Sequence, residues 1–322
     1  MLPRCLDVEF LTVKRIVIYL FFALALTLPE CASTIAEEAE SSAAYRITED
    51  IVYGNKDGLA LTLDALVPES GAKGLGVILV SSGSWKSSKS DIPGEDQARR
   101  NREHWVQGLL KGGYTVFIAR HGSAPRYFVP EMVEDIRRSV RFVRANAQRF
   151  AVDGQRLGIT SGSSGGHLSL MVALTGDDGN AGSKDPIEHV SSRVQAAVAW
   201  FAPTDLVNWG STDGYRVIQQ FKPELLAGLF PKITDLPEQL KTISPIYFVS
   251  KDDPPLLLIH GDCDLTVPLQ QSQLLQEKYA GSGLPTDLVV HKGGGHSWWP
   301  GIMADYQSVW AWFDRYLRAS SN

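Results

Sequence analysis

The chain has 322 residues, 44% of them hydrophobic and 21% charged, with 29 glycines and 17 prolines. That balance belongs to a globular protein with a sizeable buried core, and no internal repeat or low-complexity tract interrupts it. A net charge of −5, with no basic cluster beyond the helical run Arg137 to Arg149, argues against nucleic acid as a partner.

Residues 1–36 read as a leader. Lys14 and Arg15 precede an apolar run thirteen positions long, Ile16 to Leu28, too short to cross a bilayer comfortably and typical of a signal sequence. Pro29 and the small-residue stretch Cys31 to Ala36 follow, so cleavage is expected near Ser33 or Ala36; an uncleaved anchor is the alternative. Glu30, directly before Cys31, argues against lipid attachment. The expectation is an exported protein, periplasmic or secreted, with no stable membrane association after cleavage. Its mature chain keeps Cys263 but neither Cys5 nor Cys31, so neither an internal disulfide nor a cysteine-based zinc site can form. The histidines do not gather with carboxylates at a metal spacing, and no metal or cofactor is implied.

After an acidic spacer, 37–44, two β-like stretches appear at Tyr45 to Tyr53 and Leu59 to Val67, separated by the hairpin-turn residues Gly54 to Gly58. Short buried-strand runs follow at Gly76 to Val80, Thr115 to Ala119, Leu157 to Thr160, Ala196 to Phe201, Leu256 to His260 and Asp287 to His291. Most are continuously apolar, as parallel strands covered on both faces must be. Helical patterns lie between them: Glu95 to Lys111, Pro130 to Gln148, Gly166 to Leu174, Leu269 to Ala280 and Tyr306 to Arg318. Two leading antiparallel strands followed by β/α alternation predict one α/β domain over 45–322, an eight-stranded, mostly parallel, doubly wound sheet with helices on both faces. The alternation lapses at about 208–250, where an insertion is expected to form a small helical cap.

The chemistry centres on Gly162-Ser163-Ser164-Gly165-Gly166, which fits G-x-S-x-G between a strand-like and a helix-like run. In such an elbow the central residue, here Ser164, stands at a strand end and a helix N-terminus, where N–H groups and the helix dipole favour negative charge. A serine hydroxyl needs a base, and the base needs a carboxylate to fix its tautomer. Asp264, in the loop past a strand end, is the chosen acid over Asp262, which is assigned to the turn. His296, on a glycine-rich loop after the last strand, is the base. The expected oxyanion donors are the N–H of Gly165 and that of Gly83 or Ser84, in the loop after the third strand. Trp85, Trp298 and Trp299 flank this site, where they could stack on a sugar or aromatic acyl group or simply pack. His167 is expected to pack or hydrogen-bond locally, and His260 and His291 to be structural.

These motifs resemble the α/β-hydrolase superfamily over residues 45–318. Gly162 to Leu168, Trp200 to Leu206, His260 to Pro268 and Gly293 to His296 carry the likeness, together with the helix Val133 to Asn146. Within it the chain is most similar to secreted carboxylesterases of the acetyl-xylan or feruloyl esterase and hormone-sensitive-lipase-like type. The resemblance implies the α/β-hydrolase fold and cleavage of small-molecule or saccharide esters through an acyl-enzyme, without a cofactor. It leaves the oligomeric state open. Two departures stand out: Ser81-Ser82-Gly83-Ser84-Trp85 replaces the His-Gly-Gly-Gly-Trp of relatives, and Ala119-Arg120-His121-Gly122-Ser123 replaces their Tyr-Arg-Leu. Two alternatives remain, a serine peptidase resembling prolyl oligopeptidases and a non-catalytic binding protein on a hydrolase fold.

Overall fold

Segments rich in β-branched and aliphatic residues, Tyr45–Lys56 (β1) and Leu59–Pro68 (β2), pair antiparallel around Asp57-Gly58. Both turn residues take positive φ, 47° and 79°, the backbone a two-residue hairpin of this hand requires. The computed structural model describes residues 43–87, 89, 105–210, 212–213, 229–230, 232, 234–298 and 301–318. The leader expected at 1–36 and most of the 37–44 spacer lie outside them, as do His104 and Trp299.

Six further strands complete the sheet: Gly76–Ser81 (β3), Thr115–Arg120 (β4), Leu157–Gly162 (β5), Ala196–Trp200 (β6), Leu256–Gly261 and Thr286–His291. A two-residue pair, Asn208–Trp209 (β7) with Thr212–Asp213 (β8), falls between the fourth and fifth of these, making the last two β9 and β10. The sheet order is β1-β2-β4-β3-β5-β6-β9-β10, and every pairing except β1–β2 and β2–β4 is parallel. All eight strands coincide with the eight read from the sequence, extended by one to three residues at some ends and shortened by one at β6, which stops before Phe201.

Helices cover both faces. A helical segment at 105–111 (α1) and Ile302–Leu317 (α6) pack on one, with Leu109, Tyr306 and Phe313 meeting Val77, Leu79 and Val198. Val129–Ala145 (α2), Ser163–Leu174 (α3) and Gln270–Gly281, here α5, pack on the other, with Met132, Leu168 and Leu275 meeting Ile78, Val80 and Ala197. Alternate residues of β3 therefore enter different cores, which is why the central strands read as unbroken apolar runs. Every α3 residue after Ser163 is buried, so this helix cannot shift without exposing its whole length.

The insertion expected to be a helical cap is only partly helical where it is described. It opens with the β7–β8 pair and continues with the two-turn helix Leu236–Lys241 (α4) and a 3-10 turn at Pro245–Phe248. Residues 211, 214–228, 231 and 233 of it lie outside the described residues.

One ion pair is built into the sheet beside the departure after β4. The guanidinium of Arg120, 8% exposed, donates to the Asp64 carboxylate, 4% exposed, while its Nε and Nη1 have no hydrogen-bond partner among the described residues. Burial alone would raise the Asp64 carboxyl, yet Arg120 and the Asp50 N–H together hold it below its usual value. Removing one member of such a pair leaves an uncompensated buried charge. Asp64→Leu is expected to lower the unfolding free energy by about 3–5 kcal/mol, and Asp64→Leu with Arg120→Met to recover most of it, in guanidinium denaturation.

Candidate active site

β5 runs into α3 with no intervening loop, and the residue at the junction is Ser163, at φ 52°. A left-handed conformation costs a non-glycine residue about 1–3 kcal/mol and persists only where its surroundings over-determine it. Here β5 is paired on both sides, with β3 and β6, and α3 is buried along its length. The strain aims the half-buried Ser163 side chain out at the C-terminal edge of the sheet. Its neighbour Ser164 turns inward, 1% exposed, with Oγ 3.2 Å from Ser82 Oγ.

The imidazole of His296 reaches Ser163, not Ser164. Its Nε2 lies 2.9 Å from Ser163 Oγ and its Nδ1 2.7 Å from Oδ2 of Asp264. An ionised carboxylate only accepts, so Nδ1 carries the proton and Nε2 is left to accept from the Ser163 hydroxyl. The reading of Ser164 as the central serine is thus corrected by one position. The turn is Ser161-Gly162-Ser163-Ser164-Gly165, with serine where the pattern expects its first glycine. Ser161 fits because its hydroxyl donates to the Val80 carbonyl at 2.7 Å. Gly165 leaves that space open, since a Cβ there would lie 2.3 Å from Ser161 Oγ and 2.9 Å from Val80 O. The available signal was the doublet Gly165-Gly166, which supplies a glycine two residues after either serine.

Asp264 has no exposed side-chain surface. Its Oδ1 accepts the N–H groups of Thr266 at 2.8 Å and Val267 at 2.9 Å, and its Oδ2 faces both His296 and, at 3.4 Å, Nε2 of His260. Burial pushes the carboxyl up, but hydrogen bonds from His260, His296 and Val267 outweigh it and hold the group far below the usual carboxylate range. His260, missed as part of the site, is itself wholly buried between Ser272 Oγ at 2.7 Å and Val267 O at 2.8 Å. Asp262 instead accepts the Gly293 N–H at 2.5 Å and ties the glycine-rich loop to the end of β9.

That loop docks main chain to main chain. A Cβ on Gly261 would lie 2.2 Å from the Gly294 carbonyl oxygen, which accepts the Cys263 N–H at 2.9 Å. The His296 ring is held edge-on by Phe201, centroids 4.8 Å apart, and Phe201 itself sits at φ 37° just after β6.

The expected oxyanion donors need correction as well. With Ser163 in the turn, the residue that follows it is Ser164, not Gly165. In the loop after β3, the Gly83 N–H is committed to Lys86 O at 2.9 Å within a four-residue turn, and Ser84 occupies the exposed tip. Ser82 is the residue that faces α3.

Nor are Trp85 and Trp298 open platforms. Trp85 is 5% exposed and donates from Nε1 to Nδ1 of His167 at 3.0 Å. His167 Nε2 donates in turn to Ile243 O at 2.6 Å, so this histidine links the loop after β3, α3 and the return of the insertion. The bonds expected to be local span 82 and 76 residues. Trp298, 8% exposed, donates to Asp305 at 2.8 Å and stacks on His291. Among the described residues no group of three or more histidine, cysteine or carboxylate side chains could hold a metal ion.

A doubly wound sheet with a strained serine at a strand–helix junction, faced by a histidine and a carboxylate from later loops, is the arrangement of the α/β-hydrolase fold. The chain belongs to the BD-FAE family, whose model matches residues 63–279. It is 27% identical over 178 residues to esterase LipQ of Mycobacterium tuberculosis, covering 55% of this chain and 41% of that one. To the probable carboxylic ester hydrolase LipM of the same organism it is 29% identical over 181 residues, covering 54% and 40%. The chain thus spans less than half the length of these two relatives. Among solved structures it resembles a truncated carbohydrate esterase from gut microbiota, with TM-score 0.69 and 26% identity over 86% of this chain and 98% of that one.

Two consequences can be measured. Burial pushes the His167 imidazole down to about 4, against the smaller opposing effect of its bond to Ile243. The unfolded chain therefore takes up this proton first, and stability that is complete above about pH 6.5 falls as pH drops toward 4, by roughly 3 kcal/mol. Urea titrations across that window are expected to show the loss, and His167→Asn to flatten it. Separately, Gly261→Ala forces the glycine-rich loop away from β9. A displacement of about 1 Å at His296 is expected to lower kcat about 100-fold toward an ester substrate, read beside an unfolding curve that stays cooperative.

Proposed function

We propose that this protein is a serine hydrolase that cleaves carboxylic esters by acyl transfer. The observation that carries the reading is the bridging position of His296, within hydrogen-bonding distance of both the Ser163 hydroxyl and the buried Asp264 carboxylate. Ser163 Oγ attacks the ester carbonyl as its proton passes to His296 Nε2. Asp264 holds the tautomer and stabilises the imidazolium. The N–H groups of Ser164 and Ser82 receive the developing oxyanion. The tetrahedral adduct collapses with cleavage of the bond to the alcohol oxygen, which takes the proton from Nε2. Water then attacks the acyl-enzyme by the same relay and releases the acid.

The substrate we infer is a short-chain acyl ester of a saccharide, met outside the cytoplasm. The signal-like leader supports the location. The likeness to a carbohydrate esterase from gut microbiota supports the alcohol. Trp85 and Trp298 lend no support, because both are buried in packing.

The test is an ester panel with acyl chains of increasing length, including acetylated and feruloylated saccharides, together with fluorophosphonate labelling. Turnover of p-nitrophenyl acetate, release of acetate from acetylated xylan and a single adduct on Ser163 are expected. Ser163→Ala is expected to lower kcat by about 10⁵-fold or more. Hydrolysis of a dipeptidyl anilide without ester turnover would replace this reading with a peptidase, and no adduct on folded protein would end it.

A further inference from the structure

Oxyanion stabilisation depends on donors held within a few tenths of an ångström of where charge develops. In this chain the two donors sit on elements that are far apart in sequence, the loop after β3 and the first turn of α3. The β3–β5 ladder that joins those elements ends at the pair Leu79 and Thr160, short of both donors. Beyond it, two hydrogen bonds made by serine hydroxyls take over. Ser161 Oγ bonds to Val80 O at 2.7 Å, and one step further out Ser82 Oγ meets Ser164 Oγ at 3.2 Å.

We propose that Ser82 and Ser164 are a positioning pair: their hydroxyl–hydroxyl bond clamps the loop after β3 to the start of α3 and fixes the separation of the two N–H groups that receive the oxyanion. The inference rests on the hydrolase reading above and adds to it two side chains outside the relay. Three features carry it. The residues bearing the bonded hydroxyls are the same two that present the donors, so the bond acts directly on the donor spacing. The neighbouring Gly83 N–H is spent on Lys86, which leaves no second loop donor at that position to compensate. Ser164 is almost wholly buried, and a buried hydroxyl without a partner is costly, so the bond is not readily exchanged for water. Because oxyanion charge exists only in the transition state, loosening the clamp slows the chemical step without weakening substrate binding.

The experiment compares Ser82→Ala, Ser164→Ala and the double variant with wild type, using p-nitrophenyl acetate turnover, fluorophosphonate labelling and an unfolding curve for each. Each single variant is expected to lose about tenfold in kcat with KM within about twofold, and to keep its adduct on Ser163. Because the pair acts as a unit, the double variant is expected to lose about the same tenfold, where independent sites would lose about 100-fold. Ser82→Thr, which keeps a hydroxyl, is expected to restore most of the rate. Multiplicative losses in the double variant, or kcat within twofold in both single variants of an active enzyme, would overturn the clamp and leave the hydrolase reading intact. Loss of the adduct and of about 10⁵-fold in rate on Ser164→Ala alone would overturn both the clamp and the assignment of Ser163. A wild type that neither turns over ester nor takes the label removes the hydrolase reading, and the clamp with it.

Discussion

A carboxylate with no exposed surface is unstable unless its lone pairs are filled, and filling those of Asp264 organises the C-terminal half of the domain. Two backbone N–H groups from its own loop occupy one oxygen, and two imidazoles face the other. The loop must curl back on itself to supply the first pair, which places Val267 where its carbonyl anchors His260. The second pair requires a histidine from beyond β10. The acid is therefore the point on which β9, α5 and the glycine-rich loop converge, and the charge that makes it useful also dictates how these parts fold.

Most of this was legible from the chain alone. The apolar runs of β3 to β6 and β9 became the central strands, because strands covered on both faces leave no room for polar interruption, while β1 and β2 were marked by the turn residues between them. Asp264 and His296 were identifiable because each follows a strand end in the chain order that this fold demands. The serine was mistaken by one residue. A search for flanking glycines assumes that crowding is relieved by missing side chains, whereas at Ser161 it is relieved by a hydrogen bond to Val80. The register of a strained turn is settled by such partners, which lie some 80 residues away and leave no local trace.

The tryptophans show a related limit. Trp85 and Trp298 sit beside the reactive centre in sequence, and proximity suggested contact with substrate. Both instead spend their indole N–H inside the protein, on His167 and Asp305. Where a buried indole finds a partner for its polar end, as these two do, that partner decides whether the ring supports the site or lines it. His167 could not be read as a long-range link because its donor partner Trp85 and its acceptor partner Ile243 come from segments that only the completed fold brings together.

The contact between Gly261 and Gly294 has an evolutionary reading. Since backbone presses on backbone there, the approach of the His296 loop to β9 is set at that point by main chain alone. Side chains elsewhere on that loop are then free to vary while His296 keeps its place beside Asp264. A pair of glycines, by excluding everything else from one small volume, fixes the alignment of one distant ring without constraining its neighbours.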